Sequence, residues 1–370
     1  MMIFPQKLSK TWNRHYWLFA VVFLLLVIFG LILPHTLYDT PWLDEAYTYQ
    51  FAGLDRASDI SIFETIVLTA QYDPWPPTYY ITQNIWHDWM GSSLFVTNLL
   101  PAFYGLLAVA VMYQLGRLMF AQAKAGLIAA ILFGLSGFAV NYFHETRGYS
   151  LMLLAWVVMV YCYWRYLTYQ SQNTKRLKLY LTLAVAFALY THTISLVFMG
   201  GIGLYHLLVE SRPATRHPTM TRAKWLDMLR ALINGGILWI PWLTVIVLQT
   251  ALSTIPPFVP MQEILVDFLS LASNTLPLLI VPVVFLTLMR LKDNSVRFLW
   301  IWLSIAMVGL FIVNYGANSL FHPRHILPLL VIFVLLITRG LLILEQWHPS
   351  LMISVMSKTK MTSNGKICLG

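Results

Sequence analysis

Ten apolar runs alternate with short polar connections along the chain: Tyr16 to Leu33, Phe95 to Met119, Ala125 to Phe143, Tyr149 to Leu167, Leu179 to Thr191, Ile194 to Val209, Ala231 to Gln249, Leu276 to Met289, Phe298 to Tyr315 and Ile326 to Leu344. A helix needs roughly 20 apolar residues to cross the hydrocarbon of a bilayer. The pattern therefore predicts an all-α integral membrane fold of about ten transmembrane helices. Leu179 to Val209 is too long for one span and is interrupted at Thr191-His192-Thr193, which predicts a tight hairpin; a single tilted or kinked helix would change the count. The first run follows Lys7, Lys10 and Arg14 as a signal peptide would, yet it exceeds a typical h-region and no A-x-A-like site follows, so it is expected to stay as a membrane helix.

Between the runs, the longest polar segment extends from His35 to Ser93. Within it Ile62, Phe63, Ile66, Val67 and Ala70 recur at helical spacing, which predicts an amphipathic interfacial helix. A second is expected after Pro76-Pro77, where Tyr79, Tyr80, Ile81, Ile85, Trp86, Trp89 and Met90 mix belt aromatics with an apolar face. A smaller loop, Ala251 to Thr275, opens with Ile255-Pro256-Pro257, which interrupts any helix. No internal repeat or soluble domain is apparent, so residues 1–346 read as one polytopic membrane domain, with an external loop at about 35–93, and 347–370 as a short tail.

Composition agrees: 58% of the 370 residues are hydrophobic and only 11% charged, more apolar surface than a soluble fold of this size can bury. Cys162 and Cys368 make neither a disulfide framework nor a metal-ligand spacing. The net charge of +9 does not imply nucleic acid, because its basic residues sit at the ends of apolar runs, where membrane topology requires them. With ten spans, 21 of the 24 Lys and Arg fall on the side of the N-terminus, leaving Arg56, Arg147 and Arg324 opposite, whereas 11 of the 15 acids lie opposite. The positive-inside rule then places both termini in the cytoplasm and the chemistry on the external, periplasm-type face of a cell (inner) membrane.

Four constellations there carry candidate chemistry. Asp44 and Glu45, in Pro41-Trp42-Leu43-Asp44-Glu45-Ala46-Tyr47, are costly to desolvate and expected where water, a cation or a substrate compensates them; a solvated acid pair is the plainer alternative. Asp73-Pro74-Trp75-Pro76-Pro77-Thr78-Tyr79-Tyr80 presents an acid and aromatics on a rigid chain, or simply starts a helix with an interfacial belt. His144-Glu145-Thr146-Arg147-Gly148-Tyr149 and His322-Pro323-Arg324-His325 each put an arginine on the face from which positive charge is otherwise excluded. A guanidinium there suits a phosphate, which it grips with two parallel hydrogen bonds; an intramolecular pair with an external carboxylate is the competing reading. His144, His192, His322 and His325 with Glu45 leave room for a divalent cation, without diagnostic spacing.

At these residues the chain resembles the GT-C superfamily of polytopic glycosyltransferases, in particular the polyprenyl-phosphate-sugar protein mannosyltransferase and aminoarabinose transferase group and its shorter galacturonosyltransferase-like relatives. The ordered set comprises Leu43-Asp44-Glu45-Ala46, Pro76-Pro77-Thr78-Tyr79-Tyr80, Gly116-Arg117-Leu118, Glu145-Thr146-Arg147-Gly148-Tyr149, Tyr190-Thr191-His192 and Arg324-His325-Ile326-Leu327-Pro328. It departs from the group at Thr146, where relatives often carry a small residue, and at His325, where an aromatic is usual.

The resemblance implies inverting transfer of a sugar from a polyprenyl-phosphate donor to an acceptor hydroxyl on a glycan, lipid or protein. Asp44 is then the implied catalytic base, with the arginines engaging the lipid phosphate. Glu45, Asp73, Tyr79, Glu145, Arg147, Tyr149, His192 and Arg324 become expected substrate-binding residues. No Gly-rich nucleotide cradle is present, in keeping with a donor reached from the bilayer. A lipid or solute transporter is the reading from another class, as is a non-catalytic protein of the same fold. Transport paths place ionisable residues near mid-span, whereas here they gather at one face.

Overall fold

The computed structural model describes residues 6–38, 41–54, 60–73, 75–169, 174–250, 258–274, 277–317, 320 and 322–347. Its helices in chain order are α1 (Gln6–Tyr38), α2 (Leu43–Ala52), α3 (Ile62–Tyr72), α4 (Thr78–Met90), α5 (Leu94–Phe120), α6 (Ala123–Gly134), α7 (Gly137–Tyr142) and α8 (Tyr149–Thr168). They continue with α9 (Lys175–Leu189), α10 (Ser195–Tyr205), α11 (Arg222–Thr250), α12 (Met261–Ala272), α13 (Pro277–Leu286), α14 (Asn294–Ala317) and α15 (Pro328–Trp347). By length and composition α1, α5, α8, α11, α14 and α15 can each cross a membrane, and α6, α10 and α13 are shorter apolar helices. Together with α9, every apolar run of the sequence has become helix.

Burial follows what each helix faces. In α1 the side chains of Val21, Leu24, Ile28 and Ile32 are buried, one stripe at helical spacing, while Phe19, Phe23 and Leu26 are exposed as a lipid-facing helix requires. At the centre lies α8, whose Trp156, Tyr163 and Tyr166 are fully enclosed. Glycines set the closest approaches. A Cβ on Gly126 of α6 would stand 2.4 Å from the Tyr113 carbonyl of α5, and one on Gly235 of α11 would stand 2.5 Å from Val185 of α9. Without lipid-excluding hydrophobic drive between helices, such close backbone contact is what holds them together.

The long run Leu179 to Val209 is the expected hairpin: α9 ends at Leu189 and α10 starts at Ser195. The run Ala125 to Phe143, expected as one span, is instead two helices. Ser136 breaks it, its Oγ donating to the Phe133 carbonyl (2.8 Å) and accepting from Ala139 N–H (3.3 Å), so that it ends α6 and caps α7. The loop Ala251 to Thr275 contains a helix that the sequence reading missed, α12, which buries Met261, Ile264, Phe268 and Ala272 along one face. Its opening, Ile255-Pro256-Pro257, lies outside the described residues, as do Pro74 and residues 348–370.

The first polar segment folds into α2, α3 and α4. The two expected interfacial helices are α3 and α4; α2, which carries the acidic pair, was not foreseen as helix. Buried Thr65 and Thr69 seat α3, and Ile62 and Phe63 remain exposed on it. Gln249 of α11 donates to the Ala70 and Asp73 carbonyls, 2.8 Å each, and thereby closes the C-terminal end of α3. Thr78 donates to the Tyr190 carbonyl (2.7 Å), fastening α4 to the α9–α10 turn.

Candidate active site

The acidic pair occupies the first turn of α2, where the positive end of the helix dipole favours it. The two acids point different ways. Glu45 is buried, and its carboxylate accepts from Trp42 N–H (3.1 Å) and from Thr146 N–H (2.5 Å), tying the start of α2 to the turn before α8. Asp44 faces Arg324 instead, with Oδ2 2.5 Å from Nη2. Arg324 is carried by a 3₁₀ turn, Pro323–Ile326, that leads into α15, and its guanidinium lies 4.7 Å from the Trp42 ring centroid and 5.7 Å from that of Tyr149.

The second arginine completes the arrangement. Arg147 donates through Nη1 to the Asp44 carbonyl (3.0 Å) and to the Tyr80 hydroxyl (3.1 Å), and it lies 4.6 Å above Trp75. Tyr80 in turn donates to Asp73 Oδ2 at 2.5 Å, while Asp73 Oδ1 accepts from Trp75 N–H at 2.9 Å. Burial raises the Asp73 carboxyl above its ordinary range, against the pull of Arg147 and the Tyr80 hydrogen bond. Burial also drives the Tyr79 and Tyr80 phenols well up, so both are neutral donors. Thus Arg147 is held by neutral oxygens and a ring face, and Arg324 by a carboxylate. The competing reading of an intramolecular pair is realised at Arg324 and not at Arg147.

Glu145 stands beside both arginines. Burial first, then the Glu45 and Asp44 carboxylates, push its carboxyl up to about 8 against the attraction of Arg324 and Arg147. That shift favours its protonated form at neutral pH. Its Oε2 is enclosed without a hydrogen-bond partner, as are Arg147 Nε, Arg324 Nε and the Tyr149 hydroxyl. Unpaired buried polar atoms of this kind are rare in a folded interior and common where a ligand completes the bonding.

His192, from the α9–α10 turn, is fully inside. Its ring packs 4.2 Å from Trp75, its Nδ1 accepts from Ile194 N–H (3.1 Å), and its Nε2 has no partner. Burial and the neighbouring Arg147 lower it to about 3, so it is a neutral imidazole. Tyr149 packs edge-on against Trp75, and Tyr79 lies under Gly148, where an added Cβ would come within 3.3 Å of the Tyr79 Cβ. Sequence reasoning missed the roles of Trp42 and Trp75 beneath the two guanidinium groups, and of Tyr80 between Arg147 and Asp73. The available signal was an aromatic next to an acid in both motifs. The histidines give no metal centre: among the described residues no three His, Cys, Asp or Glu side chains converge to hold an ion. His144 stacks on His35 at 4.7 Å, while the His192 and His325 rings lie 6.2 Å apart.

Residues 75–242, just under half of the chain, match the model of the dolichyl-phosphate-mannose-protein mannosyltransferase family. No curated protein matches the sequence significantly. Among solved structures, ArnT from Cupriavidus metallidurans in the apo state superposes with a TM-score of 0.63 at 12% identity, over 94% of this chain and 64% of ArnT. The same ArnT bound to undecaprenyl phosphate gives 0.62 at 14% identity, over 93% and 63%. The oligosaccharyltransferase AglB from Archaeoglobus fulgidus, in complex with an inhibitory peptide and a dolichol-phosphate, gives 0.55 at 13% identity, over 96% and 53%. The chain thus spans less than two thirds of the length of each. Those superpositions extend over nearly the whole chain, and the fold is the one seen in ArnT and AglB.

Proposed function

We propose that this protein is an inverting glycosyltransferase that moves a sugar from a polyprenyl-phosphate-type carrier to an acceptor hydroxyl at the non-cytoplasmic membrane face. The observation that carries the reading is the meeting of Asp44, Arg147 and Arg324, brought together from α2, the turn before α8 and the turn before α15. One carboxylate and two guanidinium groups at a membrane boundary are what displacement at a phosphate-linked anomeric carbon requires. The match to a mannosyltransferase family and the lipid phosphates bound by structural neighbours support the donor class.

In this scheme the donor phosphate takes the Arg324 and Arg147 forks, and Arg324 releases Asp44 Oδ2. The freed carboxylate accepts the proton of the acceptor hydroxyl as its oxygen attacks the anomeric carbon. The anomeric C–O bond to phosphate breaks with its electron pair leaving on the phosphate oxygen, whose added charge the two arginines stabilise. A single displacement inverts the anomeric centre. Glu145, Asp73 and His192 hold sugar or acceptor hydroxyls, Tyr149 and Tyr79 wall the site, and Glu45 keeps α2 in register with Arg147.

The test is Asp44→Asn, which preserves shape but accepts no proton. Transfer from membrane-extracted polyprenyl-phosphate sugars should fall about 10²- to 10⁴-fold, while the purified variant still binds undecaprenyl phosphate. Asp88→Asn, at an external acid remote from the cluster, should behave as wild type. Unchanged transfer in Asp44→Asn would remove it from the mechanism.

A further inference from the structure

At the far end of α5 and α8 lies a second site of unassigned function. The α5–α6 connection turns through Ala121, whose φ of 55° is left-handed, and against it α8 leaves a cavity of about 440 Å³. Gln114, Arg117, Leu118, Ala121, Tyr161 and Arg165 line it. The 27 residues of α5 extend about 40 Å, more than the roughly 30 Å of bilayer hydrocarbon. Arg117 therefore sits at headgroup level on the membrane face opposite the acid–arginine cluster, which is the face that bears the excess of Lys and Arg.

What sets this pair of arginines apart is that both line one cavity, and among the described residues neither has a carboxylate partner. The face carries four acids, and each is engaged elsewhere. Glu210 accepts from Tyr205 (2.8 Å) and from His217 N–H (2.8 Å). Asp227 meets Lys178 and Arg230, both at 3.5 Å; Asp293 pairs with Arg339, and Glu345 with Lys124. Arg165 touches the face of Tyr169 at 5.7 Å, which leaves its fork free, and Arg117 has no ion pair among the described residues. Two exposed guanidinium groups with no carboxylate partner among the described residues thus line one cavity, with the amide of Gln114 and the phenol of Tyr161 as further donors and Leu118 and Ala121 as an apolar wall.

We propose that this groove holds the headgroup of an anionic phospholipid, its phosphate on Arg117 and Arg165 and its glycerol against Leu118 and Ala121. The forked geometry suits phosphate oxygens, and the position at the bilayer border supplies a lipid rather than a dissolved anion. The proposal requires only that the groove and the acid–arginine cluster occupy opposite membrane faces, and it stands whether or not the transfer reaction does.

Native mass spectrometry of the intact chain, titrated with dioleoyl-phosphatidylglycerol and dioleoyl-phosphatidylcholine, tests it. Wild type should retain one phosphatidylglycerol with roughly 30-fold preference, the factor expected for two basic side chains at an anionic surface. Arg117→Gln/Arg165→Gln should lose that preference, each single variant should lose roughly fivefold, and Arg290→Gln on the same face should lose nothing. Equal phosphatidylglycerol retention by wild type and both single variants would overturn the proposal. So would displacement of the lipid by equimolar inorganic phosphate, which would assign the groove to a soluble anion.

Discussion

Under the proposed mechanism, the contact between Asp44 and Arg324 makes the base and a phosphate ligand compete for each other before substrate arrives. Removing the carboxylate's charge should thus act oppositely on two measurements. In Asp44→Asn, transfer falls, but undecaprenyl phosphate should bind roughly two- to fivefold more tightly, since a partly exposed ion pair no longer has to open. Arg324→Lys should weaken binding, because an ammonium has no planar fork; isothermal titration or a filter-binding assay reads both. Glu145 adds a pH dependence. Its folded-state proton is retained up to about 8, whereas the unfolded chain loses it in the ordinary carboxylate range. Its contribution to stability is therefore lost as pH rises between those values. The wild-type melting temperature should fall from pH 5 to pH 9 more steeply than that of Glu145→Gln, and a parallel slope would show that Glu145 is ionised in the native protein. The sequence singled out Arg147 and Arg324, because the expected topology sets them on the face that holds few other basic residues. It did not reveal that Glu45 would be spent on two backbone N–H groups, since a capping carboxylate and a substrate ligand look alike until the helix start is known.

Among the elements, the apolar runs were readable because hydrocarbon imposes both length and composition. What escaped was decided by single polar contacts. Ser136 ends α6 through two hydrogen bonds within an otherwise continuous apolar run. The helix α12 was hidden by the Pro-Pro pair before it, although Met261, Ile264, Phe268 and Ala272 already mark one face. The α5–α6 hairpin offers the clearest test of an element. With 2.4 Å between an added Cβ at residue 126 and the Tyr113 carbonyl, backbone rather than a pliable side chain stands in the way. Gly126→Val should cost about 1–3 kcal/mol, read as a lower melting temperature and a larger fraction lost during detergent extraction. Gly236→Val of α11, where an added Cβ meets nothing within 4 Å, is the control.

At the scale of the whole molecule, charge predicts which way the bundle faces. Ser92, exposed between α4 and α5, and Ser211, exposed after α10, lie on opposite sides of that prediction. With Cys162 and Cys368 replaced, an impermeant thiol reagent applied to sealed cells should label Ser92→Cys and spare Ser211→Cys; the reverse pattern would invert the bundle and move the reaction to the cytoplasm. The same long view bears on how the protein is made. The carboxylate of Asp44 and the guanidinium of Arg324 are 280 residues apart in the chain. During synthesis the first reaches the membrane boundary long before the second, which emerges only as α15 is threaded in. Water alone must satisfy Asp44 throughout that interval. A ribosome stalled before α15 would therefore leave a nascent chain with the preceding helices inserted and the acid–arginine cluster still open, so that, under the proposed mechanism, anion affinity is acquired only with α15.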